Sequence, residues 1–474
     1  MKNFFLITVL CFMFGATTVA QTPWTLDACI KYAFDNNIVL KQQQLQTEGS
    51  KVALTQSKLS VLPNLNAGAG VNYNYGRIYN PYVSALNDNN TKYASFNVSS
   101  SITLFNGLQT WNTIKQNEFN LMAILYSNEK TKNDLMLNIA TAYLQILFAQ
   151  EMLQNTKSQI QVTQEQEKRT EKLVDAGSMP RGSLLQIQSQ LATEELNVIN
   201  ADNNLKTATL VLVQLLELKD AANFKIVYPV INEPDQSNLS ATVDQIFQEA
   251  QKLPQVKSAE FQVKSADKGL SIAKGRRSPS LSFTAVLSTV YSPDQQKPSA
   301  LPYPDWLPVL IGNTQNTKEA VYSLPQPTFS YSNYVFGQQF SDNINKSFSF
   351  NLSIPIFNKW TTNTAISNAK GNLQNQKYVY QQTQNQLYKD IQQAYNDALA
   401  ALAKYNGTKK ALTSQEEAFK YVQQKFDLGL VNTIDYNTEK TKLSATQSDL
   451  LQAKYEFVFK CNVLNLYRGL PIKL

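Results

Sequence analysis

The 474-residue chain contains no histidine, which excludes imidazole acid–base catalysis and any Ser-His-Asp triad. Apart from Cys11, only Cys29 and Cys461 could ligate a metal as thiolates, so a Cys/His metal site has almost no material. These two cysteines could pair in an oxidising compartment, or serve as small apolar core residues. Adjacent carboxylates stand at Glu194–Glu195 and Glu416–Glu417. Sequence neighbours do not share a helix face, so these pairs read as decoration of a wet face rather than as an acid–base pair. A net charge of +7 is spread along the chain rather than clustered, giving nucleic-acid binding no footing. No cofactor is implied. What remains are two short turns that combine glycine with charge. "AGSMPRGS" holds Gly177, Ser178 and Arg181; "LGLVNTID" holds Leu428, Gly429, Leu430 and Asp435. Each interrupts a long helical stretch.

The two glycines are 252 residues apart (429 − 177), and the same offset separates Phe105 of "SITLFNG" from Phe357 of "SIPIFNK". "TLDACIKYAFDNN" from Thr25 is echoed by "TVDQIFQEAQKLP" from Thr242, and Pro63 by Pro279, 216 residues on (279 − 63). The chain therefore reads as two structural repeats, each running helix, strand, strand, long helix, turn, helix. The second has gained 36 residues (252 − 216) between its strands. The first repeat spans 21–216, a linker 217–242, and the second repeat 243–474.

Four segments, about 64–78, 93–105, 280–291 and 346–357, alternate apolar with polar residues. The apolar set includes Val71, Val98, Leu287 and Phe350; the polar set is Asn, Ser, Thr and Gly with hardly a charge. Aromatic residues gather at the strand ends or just beyond, notably Phe105, Trp111, Phe357 and Trp360. An outer-membrane barrel has that distribution, apolar towards lipid, polar towards a wet lumen, aromatics at the interfaces. Four strands cannot close a barrel, and an open edge in lipid leaves backbone groups unsatisfied. The barrel must then be shared among subunits.

Between the strands and the turns the period changes. Leu135, Ile139, Ala142, Ile146, Ala149 and Leu153 form a 4-3 seam, repeated 252 residues later from Leu387 to Tyr405. After the turns, Leu184, Leu191, Val198, Leu205 and Leu212 recur every seven residues, as do Tyr436, Leu443, Leu450, Phe457 and Leu464. Both are coiled-coil patterns. The long helix of about Leu108–Ala176 would measure roughly 100 Å. The segment from about Ser292 to Lys346 is too rich in proline for helix or central strand and reads as a long outer loop. At the start, Lys2, an apolar run and small residues ending at Ala20 read as an export signal over 1–20.

"TLDACIKYAFDNN", "ITLFNG" with "SIPIFNK", "LGLVNTIDY" and the terminal "NVLNLYRGL" together resemble the TolC-like outer membrane efflux proteins, across nearly the whole chain and in both halves. The resemblance implies a mainly helical homotrimer. Its twelve-stranded barrel lies in the outer membrane of a Gram-negative bacterium and continues as a coiled-coil α-barrel across the periplasm. It further implies a passive exit duct for efflux or type I secretion, not an enzyme, serving a periplasmic adaptor protein and an inner-membrane pump. Carried over by motif, the adaptor-docking tip is Gly177, Ser178, Leu428, Gly429 and Leu430. Some relatives narrow the pore with two acidic residues three apart; here Asp435 is kept and Thr438 replaces the second. Asp435, with Arg181 as a candidate partner, is thus the expected constriction, against the alternative of two solvated turn charges. The other reading, a periplasmic coiled-coil adaptor or scaffold without a pore, would share the heptads but has no use for four amphipathic strands.

Overall fold

The computed structural model describes residues 23–76, 78–80, 85–87, 91–219, 224–229, 231, 233–235, 239–302 and 307–472. The expected export signal lies outside this range, as do parts of the linker at 217–242. The described residues fall into two compact units. One comprises the chain through Val52, Glu118–Ser265 and 373–474; the other comprises Ala53–Asn117 and 266–372.

The helical unit is built on capped, seamed helices. α1 (Leu26–Asn36) starts at Thr25, whose side chain accepts from the Ala28 N–H. α2 (Ile38–Leu59) follows after a break at Asn37, whose Oδ1 accepts from the N–H groups of Val39 and Leu40 at 3.0 and 3.2 Å. α3 (Gln109–Asp175) and α8 (Thr361–Asp427) have 67 residues each; α4 (Arg181–Leu215) and α9 (Thr433–Tyr467) have 35 each. In each pair the bounds differ by 252 (361 − 109; 433 − 181). α5 (Val243–Ala250) opens with a capping box between Thr242 and Gln245, and α6 (Pro254–Gly275) has 22 residues, as α2 has. Such caps satisfy amide groups that a helix start otherwise leaves without partners.

The 4-3 seam is buried on both long helices: Ile139, Ala142, Ile146, Ala149 and Leu153 on α3, and Leu387, Ile391, Ala394, Ala398, Ala401 and Tyr405 on α8. Alanine at these positions lets backbones approach closely. One core gathers the α3 seam around Cys29, Ala33 and Leu212; the other gathers the α8 seam around Ile246, Phe457 and Leu464. On α4, however, the most buried seven-residue series is Ile187, Glu194, Ala201 and Ala208, whereas Leu184, Leu191, Val198 and Leu205 are half-buried. Of the leucine series only Leu212 reaches the core, and the rest marks the flank of the contact. The centre is occupied by alanines and by a carboxylate, which apolar periodicity does not register.

The second unit holds a four-stranded antiparallel sheet in the order β1 (Asn66–Asn74), β4 (Thr91–Phe105), β5 (Ser280–Tyr291), β10 (Asn345–Ser353). Its register puts Ala69 opposite Phe96, Val98 opposite Leu287, and Phe283 opposite Phe350, all on one face. Asn66, Ser99, Val286 and Ser347 follow one another across the opposite face, which carries no charged side chain within these strands. β2 (Ile78–Asn80) and β3 (Ala85–Asn87) form a small ribbon between β1 and β4.

The segment read as a long loop is folded. It contains a β6–β9 ribbon (Gln296–Ala300 with Phe329–Asn333), a β7–β8 ribbon (Leu310–Asn313 with Ala320–Tyr322) and a short helix α7 (Phe336–Asp342). Proline is accommodated because the ribbons have only two strands, so Pro298 of β6 sits on an edge where a missing N–H costs no ladder bond.

Candidate functional site

Both glycine turns close a 67-residue helix with the same hydrogen bonds. After α3 the Gly177 N–H donates to Val174 O at 2.9 Å and the Ser178 N–H to Leu173 O at 2.8 Å. After α8 the Gly429 N–H donates to Phe426 O at 3.0 Å and the Leu430 N–H to Lys425 O at 2.9 Å. This is the Schellman closure, which needs a left-handed residue. Gly177 has φ +70° and Gly429 has φ +73°, and a Cβ on either would meet nothing within 4 Å. Glycine is therefore required by the backbone, not by crowding. The turn side chains are left unpartnered, with Leu428 74 % and Leu430 72 % exposed and Ser178 also in solvent.

Asp435 is exposed in the first turn of α9, where its own N–H donates to the capping Asn432 Oδ1 at 2.9 Å. A carboxylate is favoured there by the helix dipole alone. Arg181 is the first residue of α4 and is exposed. Among the described residues the two form no ion pair with each other, so a link between them is not present within one chain. The ion pair that does bridge two helices near the turns is Arg169 to Asp427, at 2.5 Å. Beside it, buried Tyr436 stacks on Phe426 with ring centroids 4.6 Å apart, anchoring the start of α9 against the end of α8. Burial pushes the Tyr436 hydroxyl up to about 12, with the Asp427 and Glu194 charges acting in the same direction.

The sequence reading also missed a buried polar cluster on the α3, α4 and α9 faces. Lys440, 2 % exposed, points its ammonium at Glu194 Oε1 (3.1 Å) and Oε2 (3.4 Å), at Gln159 O (3.2 Å) and at the Thr163 hydroxyl. Thr163 in turn donates to Glu194 Oε2, and Gln190 Nε2 donates to Oε1 at 2.9 Å. Glu194 is thus not a wet-face residue, because its side chain occupies the buried seam. Burial pulls the Lys440 pKa below the ordinary lysine value, and the Glu194 charge only partly opposes that. A legible signal existed: Glu194 falls seven residues after Ile187 and seven before Ala201. A carboxylate on a heptad seam demands a cation from a partner helix.

In the sheet unit, the strand-to-helix junctions match as well. Gly107 and Leu108 are left-handed at the first, Lys359 and Trp360 at the second. Asn106 Nδ2 donates to Thr110 Oγ1 at 2.8 Å, and Asn358 Nδ2 to Thr362 Oγ1. At Gly107 a Cβ would lie 2.4 Å from Gly275 O, so glycine is needed there for close approach, whereas Lys359 is tolerated in the second copy. Phe105, Trp111, Phe357 and Trp360 all cluster at these junctions and are 45 %, 62 %, 80 % and 66 % exposed.

Strands with one apolar and one uncharged polar face, and long heptad-seamed helices that reverse at glycine turns, are the features by which this chain is classed. The chain belongs to the outer membrane efflux protein family, which it matches over residues 30–217 and 246–466. It is a TolC-like outer membrane efflux protein. Among similar proteins is the outer membrane protein TolC of Escherichia coli (strain K12), 22 % identical over 452 residues, covering 92 % of this chain and 80 % of TolC. The solved structures of CusC and of VceC from Vibrio cholerae share the fold, with TM-scores of 0.75 and 0.74. CusC is 17 % identical, with 94 % of this chain and 92 % of that one covered; VceC is 14 % identical, with 94 % and 97 % covered.

Proposed function

We propose that three copies assemble so that the free edge of β1 in one copy pairs with the free edge of β10 in the next. Four strands per copy then give a closed twelve-stranded barrel in the outer membrane of a Gram-negative bacterium. The apolar face meets lipid, and the Asn/Ser/Thr face lines a wet lumen that favours no single substrate. The helices continue the barrel as a periplasmic tunnel, and Phe105, Trp111, Phe357 and Trp360 mark the inner membrane–water boundary. Residues 21–216 and 243–474 act as two repeats joined by the 217–242 linker; equal lengths of α3 and α8, and of α4 and α9, support this division. Residues 1–20 direct export.

In this reading the protein is a passive exit duct, not an enzyme. A periplasmic adaptor grips Gly177, Ser178, Leu428, Gly429 and Leu430, and an inner-membrane pump supplies the energy. Three copies of Asp435 attract cations at the entrance, with Arg181 of an adjoining turn available to neutralise them. The observation carrying the proposal is the four-stranded sheet with opposed apolar and uncharged polar faces and two unpaired edges. No helix among the described residues is long and apolar enough to cross a membrane. A coiled-coil adaptor would leave that sheet without a role. Extraction in mild detergent followed by analytical ultracentrifugation should yield a trimer from the outer-membrane fraction; a soluble monomer would overturn the proposal.

A further inference from the structure

The segment between β5 and β10 does not stand clear of the sheet. Phe336 of α7 packs on Tyr291 (centroids 5.2 Å apart) and Phe96 (6.1 Å), and Phe340 packs on Phe96 (5.7 Å). The Thr289 hydroxyl donates to Phe340 O at 2.9 Å. Phe96, Thr289 and Tyr291 belong to the apolar face of the sheet, so α7 lies across that face and not over the polar one. Fully buried Gln339 fixes it there. Its amide donates to Ser292 O (2.8 Å) and Tyr334 O (2.6 Å) while its carbonyl accepts from the Ser292 N–H (2.9 Å).

The surface of α7 and its flanks carries Val335, Phe336, Phe340 and Ile344, each 40–50 % exposed, beside exposed Gln338, Ser341 and Asp342. The Asp342 carboxylate is held by Lys297 (3.2 Å) and by the Tyr334 hydroxyl (3.0 Å). Beside α7 runs a groove of about 390 Å³ lined by Ala67, Phe96, Val98, Leu287, Phe340 and Ile344. One cation stands beside the groove on the same face: Lys346 lies opposite Leu287 in the strand register and has no carboxylate partner among the described residues. Apolar groups beneath, with aromatic rings and a lysine at the rim, form the pattern of a surface that sits at the level of lipid headgroups.

We propose that α7 is an interfacial helix on the lipid side of the barrel wall, and that the groove beside it takes an acyl chain of an anionic membrane lipid whose headgroup meets Lys346. α7 thus belongs to a lipid-contacting collar rather than to a lid over the pore. Neighbouring copies pair through strand edges, within the plane of the sheet, and leave this face open. The inference rests on the barrel reading, and controls separate the two. Nitroxide labels are placed by Val335→Cys and Ile344→Cys in the full chain, with Cys29 and Cys461 replaced by alanine, and the protein is reconstituted in phosphatidylethanolamine–phosphatidylglycerol vesicles. Phe350→Cys and Ser349→Cys report the two sheet faces. Oxygen should relax labels at 335, 344 and 350 more than a water-soluble nickel chelate does, and the chelate should dominate at 349. Chelate dominance at 335 and 344, with 350 still oxygen-dominated, places α7 in water and refutes the collar. Low access of both relaxants at 335 and 344 shows protein covering the groove and also refutes it. A chelate-accessible 350 removes the barrel reading itself.

Discussion

The Lys440–Glu194 pair gives the sharpest energetic test. Glu194→Gln keeps the shape of the side chain but removes the only charge that, among the described residues, faces a 2 % exposed ammonium. The ammonium then has Gln159 O at 3.2 Å and the Thr163 hydroxyl, both neutral. Breaking a buried pair from one side costs about 3–5 kcal/mol, because the remaining charge is desolvated without compensation. Removing both charges with Lys440→Met and Glu194→Leu should recover most of that loss, since an apolar seam continues Ile187 and Ala201. The assay is guanidinium unfolding of the detergent-solubilised protein followed by far-ultraviolet circular dichroism. The pH dependence supplies an independent readout. Burial holds the folded Lys440 pKa below its ordinary 10.5, so the folded state releases its proton first as pH rises. Between the folded value and 10.5 the unfolded chain binds more protons, and this lysine's contribution to stability therefore increases with pH. Without the Glu194 charge the folded pKa drops further. The deficit of Glu194→Gln should accordingly shrink between pH 7 and pH 10. A variant within about 0.5 kcal/mol of the parent, the range of ordinary surface changes, would refute the burial argument. So would a deficit that grows with pH.

Three further outcomes follow from the same geometry. Gly177→Val and Gly429→Val force a β-branched residue into left-handed backbone with free space around it, at a cost of about 1–2 kcal/mol each; adaptor-dependent efflux should fall while trimer recovery from the membrane fraction is unchanged, and normal efflux would remove these turns from the docking site. Asp435→Asn should lower cation selectivity in planar bilayers, read as a shifted reversal potential; an unchanged potential would leave the carboxylate serving only the start of α9. Burial pushes the Cys29 and Cys461 thiols up to about 12, so a disulfide-exchange reagent at pH 8 should find neither in the native protein and both after unfolding; rapid native labelling of either would show that its core is open.

The strands and the two long helices were legible in the sequence because each buries one kind of residue at a fixed period. Alternating Val71 and Asn72, or Ile139 and Ala142 in a 4-3 series, leave no competing assignment. The glycine turns were legible for a different reason: only glycine comfortably takes the left-handed position that ends α3 and α8. Where a contact is made by residues that are not apolar, periodicity points beside it. On α4 it selects Leu191 and passes over Glu194, whose burial depends on Lys440, 246 residues later in the chain. Proline misleads in a similar way between β5 and β10, since it forbids a central strand but permits paired edges and a short helix braced by Gln339. The constriction is the least legible part. Asp435 is explained within one chain by the start of α9 and the capping Asn432. In the proposed trimer, its further role arises where copies converge on an axis, and the edges of β1 and β10, not any residue in the turn, would set that convergence.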